Sequence, residues 1–486
     1  MAPKLAPSWP RPHRNATLSA NSNGTRGAHA GVVAVRLQFD RGTLILDAAL
    51  AGAVFDERTR NWRASAHRYR TVRDVARVDG VALDDRLIEH WRKRLTNWKH
   101  VALRSYQTEA LSAWMTTMWG TIVLPTGSGK THVALAAAAA LRAPTAILVP
   151  TRVLLAQWVE AVRAWYGGPV GVVGDGEHVV EDVTIMTFES AYRKMDAIGD
   201  RFALLVEDEA HHFAAGVRGE ALEACAAPYR LGLTATAPDL GSEGEAALAA
   251  LVGPTVYEKS IGDLAGEHLA PFDVVRLRVA LGDQERVEYA RLARPFLQLK
   301  YELRLEGGRI DWEAMVREMS KTPHGRRALS SWHRAVALAT FPAEKRRLAA
   351  RLIERHREDK MLVFAALASD ARAISCDNLV PAITADTRRA ERDEILSGFR
   401  EGKLRCIVSA RVLNEGVDVP DANVAVLLGA ALGVREQVQR IGRVLRPRPG
   451  KRAIVYDVAT AHTIDADRSD RKWRRLAAQT TSSISA

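Results

Sequence analysis

The sequence predicts an α/β protein with two parallel-sheet units, a small mixed N-terminal domain before them and a helical insert between them. Short apolar segments alternate with helical stretches from Thr121 to Thr234, and again from Met361 to Ala459. Such alternation is typical of βαβ units and a parallel sheet. A charged, Arg-rich stretch separates the two regions. At 486 residues the chain is also too long for one ordinary core, so several domains are expected.

The chain order of these features predicts six segments. They are a disordered tail (1–30), a small mixed N-terminal domain (31–100), a first α/β domain (101–270), a helical insert (271–342), a second α/β domain (343–460) and a basic, poorly specified tail (461–486). The first tail lacks acidic residues and is rich in Pro, Asn, Ser and Gly, which is typical of disorder. Val32–Phe39 and Thr43–Leu46 flank an Asp-Arg-Gly turn, which predicts a hairpin at the start of the N-terminal domain.

The composition favours a polyanionic partner and a reducing compartment. Lys and Arg number 69 against 57 Asp and Glu, which gives a net charge of +12. Such an excess favours nucleic acid, because cations near phosphates release condensed counterions. The three cysteines are far apart and form no Cys-x-x-Cys pair, which argues against a disulfide framework and a cysteine-rich metal site. No apolar run reaches the ~20 residues of a membrane span. We expect a cytoplasmic, nucleoid-associated protein.

A phosphate-binding loop is indicated where the predicted strand Thr121–Pro125 leads into a helix. The loop and the start of the helix read Thr126, Gly127, Ser128, Gly129, Lys130 and Thr131. Glycines allow backbone N–H groups to turn towards phosphate at a helix N-terminus. The Lys130 ammonium can reach the β- and γ-phosphates, and the Thr131 hydroxyl can bind Mg²⁺. We therefore predict a site for ATP and Mg²⁺, although Leu124 replaces the first glycine of the generic pattern.

An acidic pair, Asp208 and Glu209, follows the predicted strand Ala203–Glu207 and opens an Asp-Glu-Ala-His tetrad. The carboxyl ends of parallel strands meet at the edge of the sheet where ligands bind. Asp208 is expected to hold Mg²⁺, and Glu209 is the candidate base that orients the attacking water. Acidic residues after a strand are commonly solvated turn residues, but the phosphate-binding loop favours the catalytic interpretation.

Three residues near the C-terminal end of the second α/β region share one predicted helix face. Gln439, Arg443 and Arg446 are spaced at i, i+4 and i+7. Two guanidinium groups on that face could meet the γ-phosphate across a cleft between the α/β domains. An arginine finger accelerates phosphoryl transfer by ~10³–10⁵. Surface arginines in salt bridges are the ordinary alternative for an isolated run of this kind.

Taken in order, these segments resemble the motif series of the superfamily-two helicases, whose two parallel-sheet domains are RecA-like. The resemblance implies further site residues: Gln107 for adenine; Gly416 and Asp418, within Val408–Pro420, for ATP; His211, Thr234 and Thr236 for coupling hydrolysis to domain movement; and Thr151, Arg152 and Thr187 for the nucleic-acid backbone.

From about Val35 to about Val458 the sequence is similar to the XPB family of DNA repair helicases, in its short archaeal and bacterial form. The N-terminal resemblance is carried by Phe55–Arg58, Trp62–Ala64 and His67–Arg70. It implies a 3′→5′ DNA helicase or translocase that acts without sequence preference at single-strand and duplex junctions, often beside a nuclease partner. The interleaved aromatic and basic side chains suit stacking on bases and pairing with phosphates. The candidate DNA contacts there are Trp62, Arg63, Arg68 and Arg70.

The sequence departs from the family pattern just after the Thr-Ala-Thr motif. Members of the family carry an Arg-Glu-Asp element implicated in duplex opening, whereas Ala237–Ser242 stands here. A translocase that does not separate strands is therefore one alternative. The family's DNA-gripping, helical "thumb" would fall within Asp283–Ala335.

Three further alternatives remain open from the sequence. An RNA helicase shares the tetrad, and the motor subunit of a restriction-type complex shares much of the motif series. A catalytically silent DNA-binding scaffold is the alternative outside the enzymes. The presence of Lys130, Asp208, Glu209 and Arg443 argues against the scaffold, because a dead site need not retain all four.

Overall fold

The fold is taken from a computed structural model, which describes residues 34–50, 52–214, 219–238, 241–264, 266, 268, 270–307, 312–410, 422–429 and 452–482. The chain divides into two compact units. The first comprises the residues up to 124 together with 129–258, and the second comprises 125–128 and the residues from 259 onwards. Within the described residues, no helix combines the length and the apolar character that crossing a membrane requires.

A small five-stranded sheet opens the first unit. Its strands are β1 (Val35–Asp40), β2 (Thr43–Leu46), β3 (Val54–Asp56), β4 (Asn61–Ser65) and β5 (Leu83–Asp85), in the order β3-β4-β2-β1-β5. The predicted hairpin is confirmed, since β1 and β2 pair antiparallel around a turn in which Arg41 and Gly42 both have positive φ. The sheet is accompanied by a 3₁₀ helix (Ala66–Arg68), α1 (Tyr69–Val78) and α2 (Ile88–Trp91).

An eight-stranded sheet forms the larger part of the first unit. Its strands are β6 (Trp119–Val123), β7 (Thr145–Val149), β8 (Val170–Gly174), β9 (Glu177–Val179), β10 (Val183–Thr187), β11 (Leu204–Asp208), β12 (Tyr229–Thr234) and β13 (Thr255–Glu258). The order is β13-β6-β12-β11-β7-β10-β8-β9, and every pair is parallel except β8 with β9. The helices of this part are α3 (Ser105–Thr117), α4 (Lys130–Leu141), α5 (Arg152–Trp165), α6 (Phe188–Ile198), α7 (His211–Ala214), α8 (Glu220–Glu223) and α9 (Glu243–Leu251). The parallel sheet predicted from alternation is therefore confirmed.

The central strands β7, β10 and β11 are buried along their whole length. Helices cover both faces of a parallel sheet, so such strands are nearly continuous apolar runs. Arg230 in β12 is an exception, because it is fully buried. Its guanidinium donates to the carbonyl oxygens of Leu251 at 2.7 Å, Leu222 at 2.9 Å and Cys225 at 2.6 Å. These bonds replace the hydrogen bonds to water that the guanidinium loses on burial.

The two sheets of the first unit are joined by side-chain and backbone hydrogen bonds. The buried Trp91 indole donates to the Asp200 carbonyl at 2.8 Å. Arg70 Nη1 donates to the Thr117 carbonyl at 2.9 Å, and the Leu95 N–H donates to the Arg142 carbonyl at 2.8 Å. The boundary predicted at residue 100 therefore separates two sheets that belong to one compact unit.

The second unit is built on a six-stranded, parallel sheet. Its strands are β14 (Phe272–Val279), β15 (Met361–Ala365), β16 (Ala382–Ile383), β17 (Cys406–Ala410), β18 (Val424–Leu428) and β19 (Ala453–Thr460), in the order β14-β19-β18-β15-β17-β16. Its helices are α10 (Ile261–Leu264), α11 (Asp283–Gly307), α12 (Trp312–Ser320), α13 (Pro323–Thr340), α14 (Ala343–Arg355), α15 (Ala368–Asn378), α16 (Arg389–Glu401) and a C-terminal helix, Ile464–Ser482.

The helical insert begins later than predicted. Residues 272–279 form the edge strand β14, which pairs with β19 over eight residues. The charges of Arg276 and Arg278 favoured a helix in the sequence, but both guanidinium groups pair with Asp470 on the partly exposed side of the strand. The expected helices follow as α11, α12 and α13. Phe296 and Trp332 stack between them, with ring centroids 4.5 Å apart.

The prediction of a poorly specified tail after residue 460 is wrong for the described part of that segment. Asp465 is buried and its Oδ2 lies 2.5 Å from Nζ of the fully buried Lys345 in α14. The Trp473 indole donates to Asp457 Oδ2 in β19 at 2.9 Å. The sequence of the helix is rich in charged residues, so the buried contacts of Asp465 and Trp473 were not apparent from it.

Candidate active site

The phosphate-binding loop leaves β6 and enters α4 with two glycines in left-handed conformations. Gly127 has φ 84° and Gly129 has φ 78°. A Cβ atom on Gly129 would lie 2.6 Å from Nε2 of Gln107, so a side chain here would strain the backbone and displace the Gln107 amide. Because Gly129 is the N-cap of α4, the first N–H groups of that helix are directed at this loop. A helix N-terminus of this kind suits phosphate.

Polar side chains of the loop are buried around its turn. Lys130 is 9% exposed and its ammonium donates to the Leu124 carbonyl at 3.2 Å. The Ser128 hydroxyl donates to the Pro125 carbonyl at 2.7 Å and holds the turn. The Thr126 hydroxyl is buried and has no hydrogen-bond partner among the described residues. A glycine cradle, a buried ammonium and an unused buried hydroxyl together fit a triphosphate.

Gln107, expected to read adenine, is placed beside this loop. Its Oε1 accepts from the Arg104 N–H at 2.9 Å, which caps α3, and its Nε2 donates to the Gly129 carbonyl at 3.3 Å. The structure thus brings Gln107 to the nucleotide loop, and its adenine contact stays a prediction.

Asp208 ends β11 as a buried carboxylate held on both oxygens. Oδ2 accepts from the Trp158 indole N–H at 2.8 Å, and Oδ1 accepts from the Glu209 N–H at 3.1 Å. Burial raises the pKa of Asp208, while the Lys130 charge and these two hydrogen bonds oppose the rise. A divalent cation would also favour the ionised form.

The metal that the motif implies would rest on few protein groups. Among the described residues, no cluster of three or more His, Cys, Asp and Glu side chains could hold a metal ion. Mg²⁺ commonly uses only one or two carboxylates and completes its six ligands with phosphate oxygens and water. Asp208, with Thr131 at the start of α4, fits that pattern and does not fit a site built from protein ligands alone.

Glu209 has an unusual backbone conformation for a glutamate. Its φ is 55°, in the left-handed region that non-glycine residues rarely adopt. Such strain is concentrated at functional sites. The side chain is 12% exposed, and its Oε2 lies 3.4 Å from Nδ1 of His211.

His211 connects the acidic pair to the Thr-Ala-Thr motif at the end of β12. Its Nδ1 lies 3.1 Å from Oγ1 of Thr234, and that hydroxyl donates to the Thr236 carbonyl at 3.0 Å. Asp208 and Leu233 are paired in neighbouring strands, which places the two motifs side by side. The predicted coupling residues are therefore brought together with Glu209.

The residues expected to touch the nucleic-acid backbone have structural roles in the first unit. The Thr151 and Thr187 hydroxyls cap α5 and α6, each by accepting an N–H at 3.2 Å. Arg152 forms an ion pair with Asp175 at 3.2 Å. Thr187 is only 7% exposed, whereas Arg152 is exposed. Contacts of these residues with nucleic acid stay predictions.

The candidate DNA contacts of the N-terminal domain differ in how strongly they are bound to other residues of the protein. Arg63 forms ion pairs with Asp40 and Asp56, each at 3.0 Å. Arg70, already bound to the Thr117 carbonyl, also has its guanidinium 5.9 Å from the Trp119 ring centre. The described bonds of exposed Arg68 comprise one long contact to the Gly52 carbonyl, and Trp62 packs edge-on against Phe55.

The site residues predicted in the second α/β region cannot be compared with the structure. Gly416, Asp418, Gln439, Arg443 and Arg446 lie outside the described residues. Their roles remain predictions from sequence.

Trp158 is the contact of this site that sequence reasoning missed. It lies on α5 and is 2% exposed, so in the sequence it belongs to the apolar stripe of a helix. An indole in such a stripe is ordinarily a core residue. No local pattern in the sequence distinguishes Trp158 from such a residue.

Three family models match the chain. Residues 37–87 match the Xeroderma pigmentosum group B helicase damage recognition domain, residues 100–239 match the Type III restriction enzyme, res subunit, and residues 344–448 match the helicase conserved C-terminal domain. Their order agrees with the five-stranded sheet, the eight-stranded sheet and the second α/β region.

Curated relatives extend along most of the chain. A DNA 3′-5′ translocase XPB2 of Sulfurisphaera tokodaii is 34% identical over 90% of this chain and 99% of its own length. A DNA 3′-5′ helicase XPB of Mycobacterium tuberculosis is 30% identical over 78% of this chain, which spans 64% of that relative. The crystal structure of the Pyrococcus furiosus Hef helicase domain is 18% identical, with a TM-score of 0.48 over 76% of this chain and 98% of that one. With its N-terminal domain, nucleotide loop and acidic pair in the family order, the chain belongs to the XPB family of superfamily-two helicases.

Proposed function

We propose that this protein is an ATP-dependent 3′→5′ DNA translocase and helicase that acts in DNA repair. The observation that carries the proposal is the cluster of Lys130, Asp208, Glu209, His211 and Thr234 at one edge of a parallel sheet. A phosphate loop, a metal carboxylate, a candidate base and a connection to the next motif are the parts that a nucleic-acid motor needs.

Bound ATP and Mg²⁺ would supply the γ-phosphoryl group and the charge that stabilises its transfer. Lys130 and the Thr126 hydroxyl are proposed to hold phosphate oxygens, with Thr131 and Asp208 on the metal. Glu209 accepts a proton from the attacking water. His211 then transmits the state of Glu209 to Thr234 and Thr236, because its Nδ1 lies within 3.4 Å of both the carboxylate and the first threonine hydroxyl.

ATP hydrolysis measured with DNA, with RNA and with neither tests the motor directly. We expect DNA to stimulate hydrolysis and Glu209→Gln to lower kcat by about 10²–10⁴-fold, since that is the usual contribution of a general base. Glu177→Gln, a change of the same kind at an exposed position of β9, should leave kcat unchanged. Stimulation by RNA alone would favour an RNA helicase. If neither DNA nor RNA stimulated hydrolysis, the motor would be contradicted and the DNA-binding scaffold would be favoured.

Translocation without strand separation is a second candidate. It is favoured by the Ala237–Ser242 segment, which stands where the family carries its Arg-Glu-Asp element. The S. tokodaii relative is called a translocase and the mycobacterial relative a helicase. Strand displacement on 3′- and 5′-tailed duplexes, beside displacement of a third strand from a triplex, separates the candidates. Triplex displacement alone supports the translocase, and duplex displacement from a 3′ tail supports the helicase.

The proposed partner is DNA at junctions of single strand and duplex, bound without sequence preference. The match of residues 37–87 to a damage recognition domain supports this choice. A nuclease partner follows from the family resemblance only, and a place on the nucleoid in the cytoplasm follows from composition and charge. Co-purification of a nuclease with the tagged chain from its own cells would test the former.

A further inference from the structure

Trp158 makes a hydrogen bond that packing does not require. Its indole N–H donates to Asp208 Oδ2 at 2.8 Å, and both residues are buried, at 2% and 7% exposure. A Phe or Leu side chain could fill much of the same apolar space without the donor. The bond is also charge-assisted when Asp208 is ionised, which makes it stronger than a bond between neutral groups.

The bond restricts the orientation of the carboxylate. Oδ1 is already held by the Glu209 N–H at 3.1 Å, so the second donor fixes the plane of the group about its Cβ–Cγ bond. A carboxylate oxygen has room for more than one partner, so each oxygen keeps capacity for a metal-bound water. Asp208 therefore presents its free lone pairs in one direction, and that direction depends on where Trp158 lies.

Trp158 is in turn carried by a helix whose first residue is a predicted nucleic-acid contact. Helix α5 begins at Arg152 and is capped by Thr151, through an N–H bond of 3.2 Å to the Thr151 hydroxyl. Trp158 lies seven positions after Thr151, about 10 Å along the axis of an α-helix. A rigid helix of that length moves as one body. A shift of its start against the sheet would be felt at the Asp208 carboxylate.

Other buried indoles in the first unit are bound differently. Trp114 is fully buried, and its N–H donates to the Arg230 backbone carbonyl at 2.8 Å. Trp91 likewise donates to a backbone carbonyl. These bonds satisfy strand and loop backbone away from the acidic pair, whereas Trp158 binds a side chain of the candidate active site. Trp114 is thus a matched control with the same burial and bond length.

We propose that Trp158 is a positioning residue through which nucleic acid bound at the start of α5 sets the orientation of the Asp208 carboxylate. It rests on the proposed function, since it explains how DNA would stimulate ATP hydrolysis. Occupation of Thr151 and Arg152 by a DNA phosphate moves or stiffens α5, and the indole aligns the metal carboxylate. The hydrogen bond transmits the effect of DNA to the nucleotide site.

The test compares Trp158→Phe with Trp114→Phe in the full chain. The readouts are the ratio of DNA-stimulated to unstimulated kcat and the Mg²⁺ concentration at half-maximal binding of a fluorescent ATP analogue. For Trp158→Phe we expect the ratio to fall about tenfold, the range of one hydrogen bond to a charged group, and the Mg²⁺ requirement to rise. Trp114→Phe should leave both within about twofold of wild type.

A ratio and Mg²⁺ requirement equal to wild type in Trp158→Phe would overturn the proposal and leave Trp158 a packing residue. An equal fall in stimulated and unstimulated kcat would overturn it too, since orientation would then be independent of DNA. Failure of DNA to stimulate the wild type would instead sink the proposed function itself. Should Trp158→Phe fold poorly, replacement of Trp158 by benzothienylalanine, which exchanges the indole N–H for sulfur at nearly constant shape, gives the same readouts. The same exchange at Trp114 is its control.

Discussion

Gly129 is a single residue whose backbone angle and lack of a side chain both shape the nucleotide loop. We expect Gly129→Ala to weaken ATP binding about tenfold, because alanine is strained at φ 78° and its Cβ would displace the Gln107 amide, 2.6 Å away. Binding of a fluorescent ATP analogue measures the loss. Gly176→Ala is the control, since Gly176 has φ 90° and no atom within 4 Å of the added Cβ. Equal ATP affinity in the two variants would show that the clash with Gln107 has no effect.

His67 predicts a pH dependence at the junction of the two sheets in the first unit. Burial, helped by the charges of Arg230 and Arg68, lowers the pKa of His67 from 6.5 to about 4. The unfolded chain therefore takes up the proton first, and stability is lost as the pH falls from about 6.5 to about 4. At pH 5 the loss should stay below about 2 kcal/mol, because the ring is partly exposed and solvent screens it.

Urea unfolding at pH 7 and pH 5 measures this contribution of His67. In His67→Gln the fall in unfolding free energy between the two pH values should be smaller than in wild type, since glutamine does not titrate. An identical fall in both proteins would assign the pH dependence to other groups.

The residues of the candidate site were predictable where they are adjacent in sequence and directly follow a predicted strand. Lys130 and Thr131 follow glycines at the end of a strand, and Asp208 and Glu209 follow another, so spacing alone placed them. Trp158 was not predictable in the same way. The direction of its N–H depends on how α5 lies against β11, which no local pattern encodes.

At the scale of elements, one buried ion pair joins the C-terminal helix to α14. Lys345→Met should cost about 3–5 kcal/mol, because it leaves the Asp465 carboxylate buried without its cation. Arg347→Met, on the same helix α14, removes an exposed pair with Glu344 and should cost at most about 1 kcal/mol. Thermal or urea unfolding compares them. Similar losses in the two variants would contradict a special role for burial.

Most fully buried strands were predictable, whereas the buried β8, with its two glycines, was not. β7, β10, β11, β15 and β17 are buried along their whole length, so each reads as an apolar run between turns. The strands β9 and β14 were missed because they are exposed or partly exposed edges that carry charged side chains. The pairing that makes β14 a strand comes from β19, which is distant in sequence, so a local pattern does not show it.

At the scale of the whole molecule, the net charge of +12 predicts how DNA binding responds to salt. If about four phosphates are neutralised, DNA affinity should fall roughly a hundredfold between 50 and 200 mM salt. Fluorescence anisotropy with two unrelated oligonucleotides of equal length measures the slope and the sequence preference. We expect the same steep slope for both oligonucleotides. A flat response, or a large difference between the two, would contradict binding dominated by the phosphate backbone.

The hydrogen bonds that join the two sheets of the first unit limit how the two domains can be exchanged by recombination during evolution. Trp91 and Leu95 donate to backbone carbonyls of the larger sheet's domain, so the small domain is fitted to that surface. A gene rearrangement that exchanged the small domain would expose the apolar surface now covered by the indole. It would also leave the Asp200 and Arg142 carbonyls without these donors. Recombination at residue 100 is therefore disfavoured, and the two domains are expected to descend together, whereas the motor's later segments are under no such constraint from these bonds.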